Sequence, residues 1–549
     1  VLSFPKTISG TYHYIENNNI SSDILAIDSL NSHLLVKQLT SNKYQIIGAK
    51  SLKSIRYSLK SSKYNSFNVV SKGVYIDKKL VVLNSNILLP VISGNDKRPI
   101  SINIHKDKSL NNISNQNLQI KNDTTECLSF NNYDEFLNSP IVYSANSSKQ
   151  ILNIDSCALE VAVHSPNNRI SANDMMKIIE PTAKAVLGEL HFLKQKKYNL
   201  AFIFNDKLDS GLFNIALEHS QSSIYHLFSE PDFSNEKDSL RFVKTIKHYV
   251  AHEMFHLFTP LNFKDEKMAN ILSDDFKMSQ HLWLYEGFVE YFSAKILYKN
   301  AIISEKAFFE FISNKMFESR TAYKLNYKNS LAKYSKYIYK YHKNLGTFYS
   351  KGAIIAFSLD IHIAKTTNGK YDLFDVLKKI YSTNKVFKAD SLFDNISKIV
   401  GGDTKDFINR YIIGREFPDD SFFQKAGISH EFIFNKSGHY FPVNIIRKNP
   451  NRESVFIEYS INYSNKKIIE LVEMDGCPVS LFVFSKIYHL YFKNKRSVKI
   501  KYFDGDLIKE GKLETVYWKR WPKPKVWNFT QMRVMNKDQK LVHDKLFVD

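Results

Sequence analysis

The chain has 549 residues and a formal net charge of +21, with 43% hydrophobic and 24% charged residues. This composition excludes a collagen, a coiled-coil rod and a wholly disordered chain, and roughly 150 residues per domain suggests three or four domains. No run approaches the roughly 18 apolar residues of a membrane helix, so none is expected to span a bilayer. The 76 Lys and Arg residues are spread along the chain. That pattern reads as a solvated basic surface, and no nucleic-acid partner is expected.

In chain order, residues 1–165 read as β-structure. Short apolar runs at Leu34–Leu39, Ser54–Leu59, Lys79–Leu83 and Ile102–His105 alternate with Asn, Ser, Gly and Lys clusters. This is the punctuation of an antiparallel sandwich. The polar stretch Ser109–Thr125 reads as a loop. Ser171, followed by Asp174, caps a helix whose apolar face holds Met175, Ile178, Ile179, Ala183 and Val186. Leu200–Phe204 reads as a buried strand. Helical periodicity then predicts helices over 239–259, 279–298, 304–319, 349–366, 371–382 and 404–412. Residues 320–345 lack a clear period and read as a surface loop. After Pro418 the β-texture returns, with strands at Ile445, Val455–Tyr459, Ile468–Val472, Leu481–Phe484 and Val498–Tyr502. The expected architecture is multidomain α+β. It has an N-terminal β-rich domain (1–165), a mostly helical domain with a small sheet (166–425) and a C-terminal β-rich domain (426–549).

The three cysteines, Cys127, Cys157 and Cys477, form no C-x-x-C. A thiolate zinc cluster or thioredoxin-type site is therefore excluded. Spacing leaves open whether Cys127 and Cys157 pair.

His252-Glu253-Met254-Phe255-His256 is H-E-x-x-H. On a helix, residues four apart share a face, so two imidazoles can grip one Zn²⁺ at about 2.0–2.1 Å. Glu253 then stands beside the metal's open position, placed to take a proton from water. Val243, Ile246, Val250 and Leu257 supply the buried stripe, and Thr259-Pro260 ends the helix. His248 lies one turn upstream on the same face. A His248–His252 pair is geometrically open, but residue 249 is Tyr where a base is needed.

A catalytic zinc takes three protein ligands and keeps one position open. The third is expected in the aromatic helix Trp283–Phe292, which two carboxylates interrupt. A bare Glu there costs several kcal/mol unless it is paired or metal-bound. Glu286 is preferred as ligand, with Glu290 as partner to a ligand histidine. Gly287 weakens a helix by about 1 kcal/mol relative to Ala, which points to close approach of another element.

These residues carry a resemblance. His252–Asn262 (HEMFHLFTPLN) and Leu282–Tyr291 (LWLYEGFVEY) resemble the glycyl-aminopeptidase family of gluzincin zinc peptidases, metallopeptidase family 61. Tyr133–Ile141 (YDEFLNSPI) is similar to the family's segment joining the N-terminal β-domain to the catalytic domain. Ala216–Ser220 (ALEHS) resembles its G-L-E-H-x-x-S strand, whose later serine falls at Ser222. Tyr349–Ile354 (YSKGAI) resembles its Y-x-K-G-A segment, followed by Leu359-Asp360, and Arg410–Ile428 resembles the tail of its catalytic domain. The match covers about residues 45 to 430.

The resemblance implies a β-sandwich-like N-terminal domain and a thermolysin-like catalytic domain. It implies Zn²⁺ held by His252, His256 and Glu286, with Glu253 as general base and Tyr349 stabilising the oxyanion. Glu218 on an edge strand would anchor the substrate's free α-amine, with His219 and Ser222 in the same wall. Ile468–Val479 resembles the PDZ strand-turn that ends in D-G-x-P-V. No Gly-rich carboxylate-binding loop accompanies it, so peptide binding by that domain is unsupported. Where the family has glycine ahead of L-E-H, this chain has Ala216, which puts substrate preference and exopeptidase action in question.

The expected activity is zinc-dependent hydrolysis of peptides at a free N-terminus. The alternatives are a zinc endopeptidase of the same fold and a catalytically idle basic binding protein. The chain begins at Val1 without Met or an apolar leader core. With the family's frequent export, this reads as a periplasmic or cell-surface protein with its signal removed, and the cytoplasm stays open as the alternative.

Overall fold

The computed structural model describes residues 1–5, 20, 23–61, 73–94, 97–114, 118–205, 215–227, 230–268, 278–325, 330–340, 345–419, 421–433, 438–440, 443–448, 455–460, 466–474, 477–478, 497–514, 516–518 and 526–548. They fall into two compact units. One comprises Val1–Lys207, Phe213–Glu431 and Trp527–Asp549, and the other contains Phe432–Val526. The architecture is a mixture of helices and many small sheets.

The N-terminal strands gather into four small antiparallel sheets. In Ile100–His105 burial alternates residue by residue. Ile100, Ile102 and Ile104 pack on the core around Leu128, Phe136 and Tyr143, while Ser101, Asn103 and His105 face water, as a period of two requires. The loop expected over Ser109–Thr125 instead holds Asn111–Asn112 and Leu118–Asn122, which pair with Ile141–Ser144 and Thr125–Phe130. Polar residues suffice there because one face of each short strand stays exposed. Cys127 and Cys157 are buried and free.

A five-stranded sheet comes next, in the order Ser147–Ile154, Cys157–His164, Lys197–Phe204, Ser222–Leu227, Ile215–His219. The central strands are parallel, and Ile215–His219 is an antiparallel edge. One face packs on the N-terminal sheets, with Ala201, Ile203 and Ile224 against Tyr75, Val82 and Val142. Helix Ala172–Glu189 starts at the expected Ser171–Asp174 capping box and packs against helix Glu236–Phe255.

The H-E-x-x-H helix runs from Glu236, with Asn235 as its cap, to Phe255. It ends four residues earlier than its apolar pattern suggests. The chain turns through a π-type bond from Leu261 N–H to His256 O at 3.3 Å. Thr259, held by the following proline, is already extended at φ −139°, ψ 128°. Behind this helix, Phe255, Phe258, Phe288, Phe292 and Phe374 form an aromatic core, with Phe292 and Phe374 centroids 4.7 Å apart.

The surface loop expected over 320–345 is corrected. Helix Glu305–Leu325 runs six residues past 319, and Ser330 caps a further helix, Leu331–Lys336, whose Leu331, Ala332 and Tyr334 are buried. Helices Ser391–Val400 and Lys537–Phe547 were not foreseen. The latter returns the chain end to the first unit, where Phe547 packs on Phe308 and Tyr298 at 5.6 and 5.7 Å. In the second unit, Val443–Lys448, Val455–Ser460, Lys466–Met474, Ser497–Asp504 and Leu507–Glu514 form a continuous antiparallel sheet. The predicted strand Leu481–Phe484 lies outside the described residues. No helix among the described residues is long and apolar enough to cross a membrane.

Candidate active site

Three segments converge. The helix Glu236–Phe255 presents His252 and Glu253 and ends at His256. A π-type turn, Trp283–Phe288, presents Glu286. A second, Phe348–Gly352, presents Tyr349. Such turns widen the helix locally and recur at functional sites.

Donor atoms of His252, His256 and Glu286 all lie within 4.8 Å of one another, and all three residues are buried. Oε2 of Glu286 is 3.5 Å from Nε2 of His252 and 4.0 Å from Nε2 of His256. Tetrahedral ligands at about 2.0–2.1 Å from zinc sit about 3.3 Å apart, so small shifts would close this set on a metal. The other ring nitrogens are already engaged. Nδ1 of His256 is 3.1 Å from the Thr259 carbonyl oxygen, and Nδ1 of His252 is 2.8 Å from Oε2 of Glu290. With its proton on Nδ1, a neutral imidazole at either position would offer its Nε2 lone pair to the site.

The electrostatics also suit a cation. Burial opposes charge on His252, yet its bonds to Glu286 and Glu290 lift it well above the ordinary histidine value. Burial holds His256 down at about 4, ready to act as a neutral ligand. Burial raises Glu253 to about 7, His252 opposing the rise and Glu286 and Glu290 adding to it. Oε2 of Glu253 is buried with no hydrogen-bond partner. These residues therefore fit a zinc ion with an adjacent base.

Glu290 belongs to a wider cluster. Its Oε2 lies 3.1 Å from Nε2 of His248, and its Oε1 lies 2.5 Å from Nζ of Lys315. Burial works against its charge, but Lys315 foremost, then His248 and His252, hold its carboxyl well below the usual range. His248 is thus a partner of Glu290 here, and Lys315 was not foreseen.

The Tyr349 ring stacks on His252 with centroids 5.6 Å apart. Burial, reinforced by the hydrogen-bonded Glu286 carboxylate, pushes its phenol well above the ordinary value. Glu218 reaches the same place from the edge strand, its carboxylate within 4.8 Å of donors on Glu253 and His256. Burial, then the charges of Glu253 and Glu286, raise Glu218 well above the usual carboxylate range.

His219 and Ser222 are not brought to this face. Successive strand residues point to opposite sides, and Glu218 pairs with Ser223 while His219 pairs with Ser222. Ser223 therefore shares the Glu218 face. Its Oγ is 2.9 Å from the Tyr225 hydroxyl, and Tyr198 and Tyr225, both fully buried, feel the charge of Glu253. Strand alternation was the signal that would have separated these residues. Ala216 pairs with Tyr225 on the Glu218 side, so its methyl faces the cleft.

Residues 1–145 match the Peptidase M61 N-terminal domain, and residues 245–355 match M61 glycyl aminopeptidase. A crystal structure of an aminopeptidase N family protein from Idiomarina loihiensis superposes with a TM-score of 0.73 at 16% identity, covering 100% of this chain and 94% of that one. No curated protein sequence matches the chain.

Proposed function

Since the chain belongs to the M61 glycyl aminopeptidase family and is a peptidase, we propose that it is a zinc-dependent aminopeptidase releasing residues from the free N-terminus of peptides. The observation that carries this reading is the buried convergence of His252, His256 and Glu286 beside the unpartnered oxygen of Glu253. His252, His256 and Glu286 would hold the ion. Zinc, when bound there, supplies a Lewis acid that lowers the pKa of water towards about 7.

The chain's own groups do the rest. Glu253, buried beside the ligand set with an oxygen that has no hydrogen-bond partner, takes the proton of the attacking water and returns it to the leaving amine. Tyr349 donates a hydrogen bond to the carbonyl oxygen as charge develops on it. Glu218 pairs with the substrate's α-ammonium and sets the bond to be cut one residue away.

The same reading covers the architecture, with a sandwich-like N-terminal layer, a thermolysin-like core and a PDZ-like second unit. Support for the last is the likeness of the sequence Ile468–Val479 to the PDZ pattern, together with the antiparallel pairing of Lys466–Met474 with Cys477–Pro478.

Free and Nα-acetylated peptides test the specificity. Free-amine substrates should be cleaved and acetylated ones should not. Glu218→Gln should weaken free-amine substrates by about 10- to 100-fold, the scale of a charged hydrogen bond. A second reading, a zinc endopeptidase, is favoured by the Ala216 methyl in the cleft wall. Equal cleavage of acetylated peptides would select it.

A further inference from the structure

Gly287 and Gly352 meet where the turn carrying Glu286 crosses the turn carrying Tyr349. A Cβ on Gly287 would stand 2.6 Å from both Cα and the carbonyl carbon of Gly352, and 3.0 Å from its oxygen. A Cβ on Gly352 would stand 3.0 Å from Cα of Gly287, 3.7 Å from its nitrogen and 3.8 Å from Cα of Trp283. The obstructing atoms are backbone, so no side-chain rotation relieves them. Neither glycine has a positive φ, and Gly352 is helical at φ −60°, ψ −44°. Backbone conformation therefore does not call for glycine at either position. Alanine would be the better helix former at both, and what excludes it is the crossing distance.

We propose that the Gly287–Gly352 contact is a positioning device that sets where the Tyr349 phenol stands relative to Glu286 and the metal ligands. This rests on the function proposed above. Glu286 immediately precedes Gly287, and Tyr349 lies one turn before Gly352. The Tyr349 ring also lies on His252. The crossing therefore ties the two turns backbone to backbone, beside Glu286 and one turn from Tyr349. A methyl at 287 pushes the Tyr349 turn outward and takes the phenol off the position of the oxyanion.

The test is a double-mutant cycle on the full chain, reading kcat, KM and bound zinc. Gly287→Ala should lower kcat by about 10²-fold, the usual cost of a misplacement of about 1 Å, with KM and zinc content unchanged. In a Tyr349→Phe background it should cost nothing further, because the group it displaces is gone. Gly352→Ala, with its gentler contact, should show a smaller loss with the same lack of additivity, and it serves alone if Gly287→Ala does not fold. Unchanged kcat, losses that multiply with Tyr349→Phe, or loss of zinc would each overturn the proposal. A fully active Tyr349→Phe variant would instead overturn the role of Tyr349 itself, and with it the reading on which this rests.

Discussion

Glu253→Gln is expected to lose peptide hydrolysis by about 10³-fold or more while keeping its metal. Gln preserves the shape of the side chain and its burial, but an amide cannot take a proton. General acid–base catalysis is worth about 10²–10⁴-fold. Glu253 serves twice in the proposed cycle, once on the water and once on the leaving amine, which places the loss at several kcal/mol. The metal should stay because His252, His256 and Glu286 are the convergent donors. The measurement is kcat/KM on a free-amine peptide beside the zinc content of the same sample. A variant with full activity contradicts the assignment of Glu253.

Tyr349→Phe is expected to reduce kcat by about 10²–10³-fold, the cost of removing one donor from an oxyanion site. KM should change little, since the hydrogen bond strengthens only as charge develops on the carbonyl oxygen. The ring stacked on His252 remains in the variant, so folding and metal binding should survive. A fall in affinity with kcat intact would place the phenol on the ground-state substrate instead.

The candidate metal site was the most legible part of the chain, for a simple geometrical reason. His252, Glu253 and His256 lie on one short helical segment, where spacing alone predicts proximity. Glu286 and Glu290 stood out because carboxylates inside an aromatic helix need a partner, and in the structure both lie beside His252, at 3.5 and 2.8 Å. Gly287 signalled a close approach, which Gly352 supplies.

Lys315 left no such signal. It sits on an amphipathic helix among many lysines, and only the tertiary packing brings it to Glu290. Tyr349 was reached through the family resemblance, since nothing local separates it from 30 other tyrosines among the 31 in the chain. The opposite faces of Glu218 and His219 were readable from strand alternation, but the motif drew them together as neighbours in sequence. The returning helix Lys537–Phe547 was readable in part from the Asn536–Gln539 capping box. Its docking on Phe308 and Tyr298 is a long-range contact that composition does not encode.

The most direct test of the account is the zinc content of the purified chain set beside that of Glu286→Ala. The account predicts one zinc per wild-type chain and almost none in a folded Glu286→Ala protein. A folded wild-type chain without zinc, or a variant that keeps it in full, would contradict the ligand set and the function built on it.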